Sequence, residues 1–160
     1  MRRSDRALSH EEALAIIDHA PFGTVAMCGK DGLPYCVPLN LVRVNNDLYF
    51  HCALSGTKSD LLRSGGRVCI TFVTQAQPGY QAEKNNFTCF YRSAIVTGQA
   101  HEVLDPLEKT EALRAICQRF LPDAMVGDNF SRAAETSLHR TGIWRISMDQ
   151  ITGKSRPKRD

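Results

Sequence analysis

Gly23-Thr24-Val25-Ala26-Met27-Cys28, then Lys30-Asp31-Gly32, then Pro34-Tyr35-Cys36-Val37 spells out a strand, a turn and a second strand in consecutive residues. Asp-Gly is the pair that closes a tight hairpin, because its residues take positive φ at low cost and match the twist of the flanking strands. The second strand is expected to run over residues 34–44. Asn45-Asn46-Asp47 turns the chain again, and Leu48-Tyr49-Phe50-His51-Cys52-Ala53 brings it back. Three consecutive antiparallel strands, the start of a meander, are the expectation.

Working outward, Ser9 and Glu12 form a capping box ahead of Ala13, Ile16 and Ile17 at helical spacing, which predicts a helix over 10–18 stopped by Ala20-Pro21. Beyond the third strand, the residues from Thr57 to Arg63 suit a short helix ended by Ser64-Gly65-Gly66. A strand is expected over 67–73. Pro78-Gly79 and the polar run around it predict an exposed loop over 75–86, followed by a long strand over 87–103 in which Gly98 signals a bulge or bend. Asp105-Pro106 opens a helix carrying Leu107, Leu113, Ile116 and Phe120 and ending near Leu121-Pro122. A further helix is expected over 129–138 and a last strand over 142–148, after which 149–154 lead into the tail. Consecutive strands joined by tight turns, about six of them with peripheral helices, predict a mainly β, antiparallel, closed or partly closed barrel. It should be one domain over 1–155 with a flexible basic tail at 156–160.

With 42% hydrophobic and 23% charged residues in 160, the chain can bury a full core. It contains no apolar run of the roughly 20 residues that cross a bilayer, so no membrane is expected and the cytoplasm is the expected location. A net charge of +3 is too small for a nucleic-acid coat. The cations gathered at the two ends, Arg2, Arg3 and Arg6 against Lys154, Arg156, Lys158 and Arg159, read as solvated tails. Six cysteines (Cys28, Cys36, Cys52, Cys69, Cys89, Cys117) show no C-x-x-C spacing, so neither disulfides nor a metal site is expected, and each thiol should act as a small buried hydrophobe.

Alternation along 48–53 puts Leu48, Phe50 and Cys52 on one face and Tyr49, His51 and Ala53 on the other. If the first set fills the barrel, His51 points outward, toward a ligand, a partner or water. Ser55-Gly56-Thr57-Lys58 follows where a strand gives way to a helix. Hydroxyls, unpaired backbone N–H groups, a positive helix end and an ammonium suit a phosphate, though the same four residues also describe an ordinary helix start and lack P-loop spacing. Trp144 is a candidate for a cleft wall, with core or interface packing as its alternative.

Several segments together resemble the nitroimidazole-resistance (Nim) branch of the pyridoxamine 5′-phosphate oxidase superfamily. They are Ser4-Asp5-Arg6, Gly23-Thr24-Val25-Ala26, Asp31-Gly32-Leu33-Pro34-Tyr35-Cys36-Val37-Pro38-Leu39-Asn40, Leu48-Tyr49-Phe50-His51, Gly56-Thr57-Lys58, Tyr91-Arg92-Ser93-Ala94-Ile95-Val96-Thr97-Gly98 and Thr152-Gly153-Lys154. The resemblance implies an FMN-binding split β-barrel that dimerises through its sheet, with one flavin in each of two clefts between the subunits. By position it implies Leu39 and Asn40 beside the flavin ring, His51 on its substrate side, and Ser55, Gly56, Thr57 and Lys58 at the phosphate. Tyr91, Arg92 and Ser93 would reach the cofactor from a neighbouring strand; Arg92 could equally pair with a carboxylate and Tyr91 pack at the interface. The implied activity is an oxidoreductase, with His51 as tentative catalytic residue, passing electrons from a small donor such as a nicotinamide to a small acceptor such as a nitro-aromatic compound. The competing reading is a non-catalytic protein that binds or stores flavin, whether FMN or FAD, or haem ligated by His51 or His139. Oxidation of pyridoxamine phosphate itself is not expected: the basic substrate-phosphate motif that true oxidases carry near their end is not found here.

Overall fold

The computed structural model describes residues 2–157. Helix α1 (His10–His19) starts at the expected capping box: Ser9 Oγ accepts from Glu12 N at 3.2 Å and Glu12 Oε2 accepts from Ser9 N at 3.0 Å. Its buried stripe Ala13, Ile16 and Ile17 enters the main core. Strands β1 (Gly23–Cys28) and β2 (Pro34–Leu39) pair from Gly23↔Leu39 to Cys28↔Pro34, with Gly32 at φ +77° in the turn.

The expected single strand over 34–44 is two. β2 stops at Leu39, and β3 (Val42–Val44) forms its own hairpin with β4 (Asp47–Ala53) around Asn45 at φ 56°. Between them Leu41 turns into the core at 2% exposure, and Asn40 Nδ2 donates to Pro21 O at 3.1 Å. This break undoes the meander: with β5 (Arg67–Gln81), β6 (Asn86–Glu102) and β7 (Thr141–Ser147), the strand order is β2-β1-β5-β6-β7-β4-β3, so β2 and β3 lie at opposite ends of the sheet path. The path is open, and the fold is the expected antiparallel split barrel with peripheral helices.

After α2 (Thr57–Gly65), strand β5 (Arg67–Gln81) is about twice as long as expected, whereas β6 (Asn86–Glu102) has the expected length, one residue earlier. Residues 75–86 are not a loop: 75–81 and 86–92 form a two-stranded ribbon beyond a bulge at Val73/Gln75, with Tyr80 and Phe87 ring centroids 5.1 Å apart. A ladder of backbone hydrogen bonds satisfies this polar segment, in which only Phe90 is buried, and composition carries no trace of such a ladder. Gly98 marks where β6 leaves its partner β8 (Gln150–Arg156) for β7 (Thr141–Ser147). A Cβ there would stand 1.6 Å from Ser147 O, so a close backbone approach is what requires glycine.

Helices α3 (Pro106–Phe120) and α4 (Asn129–Ser137) stand where expected, α3 capped by Asp105 Oδ1 on Glu108 N at 2.8 Å. β8 occupies residues assigned to the lead-in and start of the tail, which makes eight strands rather than about six. Lys154 and Arg156 therefore belong to a strand, and Lys158 and Arg159 lie outside the described residues. The main core fills the barrel around Phe50, Phe72, Ile70, Val96 and Trp144; a smaller one, around Tyr49, Ile116 and Ile143, lies under α3.

The cysteines depart from expectation. Cys28, Cys36, Cys69 and Cys89 are exposed, and Cys52 and Cys117 are half-buried. The strand alternation that should bury them instead places Val25, Ile70 and Phe90 inward.

Candidate functional site

β4 sets the site. Leu48 and Phe50 are buried in the barrel, so the alternate face carries Tyr49, covered by α3, and His51, which is exposed. The strand ends at Ala53, and Leu54-Ser55-Gly56 swing into α2. Gly56 adopts φ +120° with open space where a Cβ would be, and no side chain caps the helix. The first intrahelical bond is Asp60 N to Gly56 O at 3.0 Å, so the amides of Thr57, Lys58 and Ser59 have no partner within the helix. The corner is held rigidly: Ser59, 2% exposed, donates from Oγ to Ala53 O at 3.2 Å, and Arg63 Nη2 donates to Leu54 O at 2.9 Å while its guanidinium grips Glu102 at 2.7 and 2.8 Å.

The result is a cleft of about 230 Å³ lined by Tyr35, Cys52, Ala53, Ser55, Gly56, Thr57, Lys58 and Ser59. Tyr35 comes from the edge strand β2, so the cleft lies between that strand and the β4–α2 corner. Lys58 Nζ is 5.5 Å from the centroid of Phe50. Burial, and secondarily the Lys58 ammonium, push the His51 imidazole below its usual 6.5. The residue is exposed, but the protein around it replaces enough solvent to disfavour the cation. His51 at neutral pH is thus a neutral imidazole beside a fixed positive charge. Amides, hydroxyls and an ammonium thus surround one open cleft, a donor set of the kind that suits an anion.

The four residues expected at the phosphate are therefore together. Leu39 and Asn40 lie at the far end of β2 from Tyr35. Tyr91, Arg92 and Ser93 are on β6 between β5 and β8, and none of them lines this cleft. Arg92 Nη2 is 3.9 Å from Glu12 Oε1, the carboxylate pairing left open by the sequence. Trp144, at 2% exposure, is core. His139 lines a larger cleft, about 590 Å³, between α3 and α4, which holds none of the expected flavin residues. Among the described residues no cluster of three His, Cys, Asp or Glu could hold a metal, and no helix is long and apolar enough to cross a membrane. Sequence reasoning missed Arg63 and Ser59, which build the corner; a buried hydroxyl and a cross-element ion pair leave no local signal.

Tyr91 and Ser93 stand on a second feature. Directly paired residues form rows across the outer sheet face: Pro38, Thr24, Thr71, Ile95 and Thr152 in one, Cys36, Ala26, Cys69, Thr97 and Gln150 in the next. Neither row contains a charge, in a chain with 37 Lys, Arg, Asp and Glu. Charges enter only at its borders, with Arg67 on one end and Lys154 and Arg156 on β8.

A family profile described as pyridoxamine 5′-phosphate oxidase matches residues 9–155. Among solved structures, the chain is similar to a "putative 5-nitroimidazole antibiotic resistance protein" from Bacteroides thetaiotaomicron, at 27% identity over 92% of this chain and 85% of that one, TM-score 0.78. The flavocytochrome Anf3 from Azotobacter vinelandii superposes with a TM-score of 0.80 at 23% identity, over 100% of this chain and 74% of that one. A FAD and haem binding protein from Mycobacterium smegmatis does so at 0.76 and 22% identity, over 95% and 75%. Among curated proteins none matches.

Proposed function

The chain belongs to the pyridoxamine 5′-phosphate oxidase family, and from that premise we propose that it is a flavin-binding oxidoreductase whose cofactor, FMN, is held between two copies of the chain. The observation that carries this reading is the uncapped start of α2, with Lys58 beside it, opening on a cleft. These residues fit a flavin phosphate: the free amides of Thr57 and Lys58 and the Ser55 and Thr57 hydroxyls would donate to its oxygens, and Lys58 would neutralise its charge. When bound, a flavin supplies the electron transfer itself.

The protein's own part is to bind, orient and manage a proton. Leu39 and Asn40 offer backbone at the end of an edge strand for the ring. His51, neutral at physiological pH, offers one ring N–H to an acceptor and can hold or pass on a proton at that atom. A bound phosphate offsets the Lys58 charge, so it should raise the His51 pKa toward that of a working acid. Two chains joined through the charge-free face would bury Ile95, Thr71 and Ala26 and bring Tyr91 and Ser93 of one chain to the partner's cleft. The acceptor class favoured is a small nitro-aromatic compound, supported by similarity to the Bacteroides protein. With no dinucleotide fingerprint in the sequence, a nicotinamide donor would dock transiently.

The visible spectrum of freshly purified protein is the test. Flavin bands, weakened at least tenfold in affinity by Lys58→Ala (about 1.5–3 kcal/mol for a charged hydrogen bond), are the expected result. A Soret band would replace this reading with haem binding. A colourless protein that rejects added FMN and FAD would sink it. Anaerobic bleaching by a nicotinamide and reoxidation by nitro-aromatic compounds then separates enzyme from reservoir, and a His51→Ala protein with unchanged turnover would remove His51 from the chemistry.

A further inference from the structure

Residues 3–8 and 153–157, which carry Arg3, Arg6, Lys154 and Arg156, meet. Ala7 bridges Lys154, and Leu8 N donates to Gly153 O at 3.1 Å, which lays the N-terminal segment along β8. The turn at the tip of the β5–β6 ribbon (Ala82–Lys84) closes over the same place. Arg3, Asp5, Arg6, Gln81, Lys84, Ser155, Arg156 and Pro157 line the cleft they make, about 220 Å³ in volume. It shares no residue with the cleft at Ser55–Lys58.

Four cations face one carboxylate here, and that carboxylate is committed. Asp5 takes a two-pronged grip from Arg3 at 2.5 and 2.7 Å, which holds its carboxyl at about 2. Among the described residues, Arg6, Lys84 and Arg156 have no carboxylate partner. Arg156 is instead fixed by donating from Nη2 to Gln81 Oε1 at 2.6 Å, and Ser155 beside it is 7% exposed. The fold draws these cations from three segments into one cleft and supplies no carboxylate to pair them, so their donors are available to an anion. Two guanidiniums and an ammonium lining one cleft are the donor set that a phosphate group takes.

We propose that the cleft formed by Arg6, Lys84 and Arg156 binds a phosphate group, as free phosphate or as a small phosphate monoester. The site is independent of the flavin cleft, and its cation cluster does not exist until both chain ends and the ribbon tip are in place.

Calorimetric titration of the purified protein with inorganic phosphate and, in parallel, glycerol phosphate, at ionic strength held constant with chloride, tests this. Saturable binding of one anion per chain is expected in Lys58→Ala, whose Ser55–Lys58 cleft is impaired, and it should weaken about tenfold or more when Lys84→Ala or Arg156→Gln is added, the loss of a charged hydrogen bond. Tighter binding of glycerol phosphate identifies a monoester as the ligand, and tighter binding of phosphate identifies the free ion. Non-saturable heats, loss of binding in Lys58→Ala, or a dissociation constant unchanged when Lys84→Ala is added would each overturn the proposal. Lys84, on a turn, is the deciding variant, since Arg156 also ties a strand end to Gln81.

Discussion

His51 shows how two neighbours decide one proton. Burial comes first and the Lys58 ammonium second, and both lower its pKa from 6.5. The unfolded chain binds this proton at higher pH than the folded one. Its contribution to stability is therefore complete above pH 6.5 and declines as pH falls from there through the lower folded value. The His51 ring should titrate below 6.5 by NMR. In Lys58→Met the midpoint should move up, and a midpoint that stays put would show that desolvation acts alone. Arg119 is a second residue with several duties: its guanidinium donates to Ile17 O at 3.2 Å, to Ala20 O at 2.8 Å and to Asp18 O, stitching α3 to the C-terminal carbonyls of α1. Arg119→Ala leaves these unsatisfied, and denaturant unfolding should show a loss of about 2–4 kcal/mol.

Among the elements, β6 has the most strand partners, because it pairs with β5 along nearly its whole length and exchanges β8 for β7 at Gly98. Gly98→Ala would drive a methyl into the Ser147 carbonyl, and main chain cannot yield as a flexible side chain can. The expected outcome is a loss of about 3 kcal/mol or more, or no folded protein. Removing the α1 cap with Ser9→Ala should cost only about 1 kcal/mol, since one amide then finds water. Thermal melts of the two variants side by side check this ranking.

For the whole molecule, the outer face of β1, β2, β5 and β6 is the feature a single chain leaves unused. Ile95, on this face, is 42% exposed. Ile95→Asp places a carboxylate where the proposed dimer would bury it, so it should convert the protein to monomers in sedimentation and release flavin as well. Leu107→Asp, equally apolar to acidic but on α3 and 76% exposed, should change neither. Dimers that persist in Ile95→Asp would place the interface elsewhere.

Local physics made much of this legible in the sequence. Capping boxes, Asp-Gly turns and strand alternation act within a few residues, so α1, the first hairpin, the outward His51 and the Ser55–Lys58 corner were all readable in order along the chain. What only the tertiary structure decided depends on partners distant in sequence. The break at Asn40-Leu41 that sends β3 to the far edge, the ribbon over 75–92, β8 and the meeting of the two basic ends are each set by backbone pairing or by a core contact across the fold. Backbone hydrogen bonds are the same for every residue type, and a charge has no partner until the fold supplies one, so neither leaves a mark in composition or spacing.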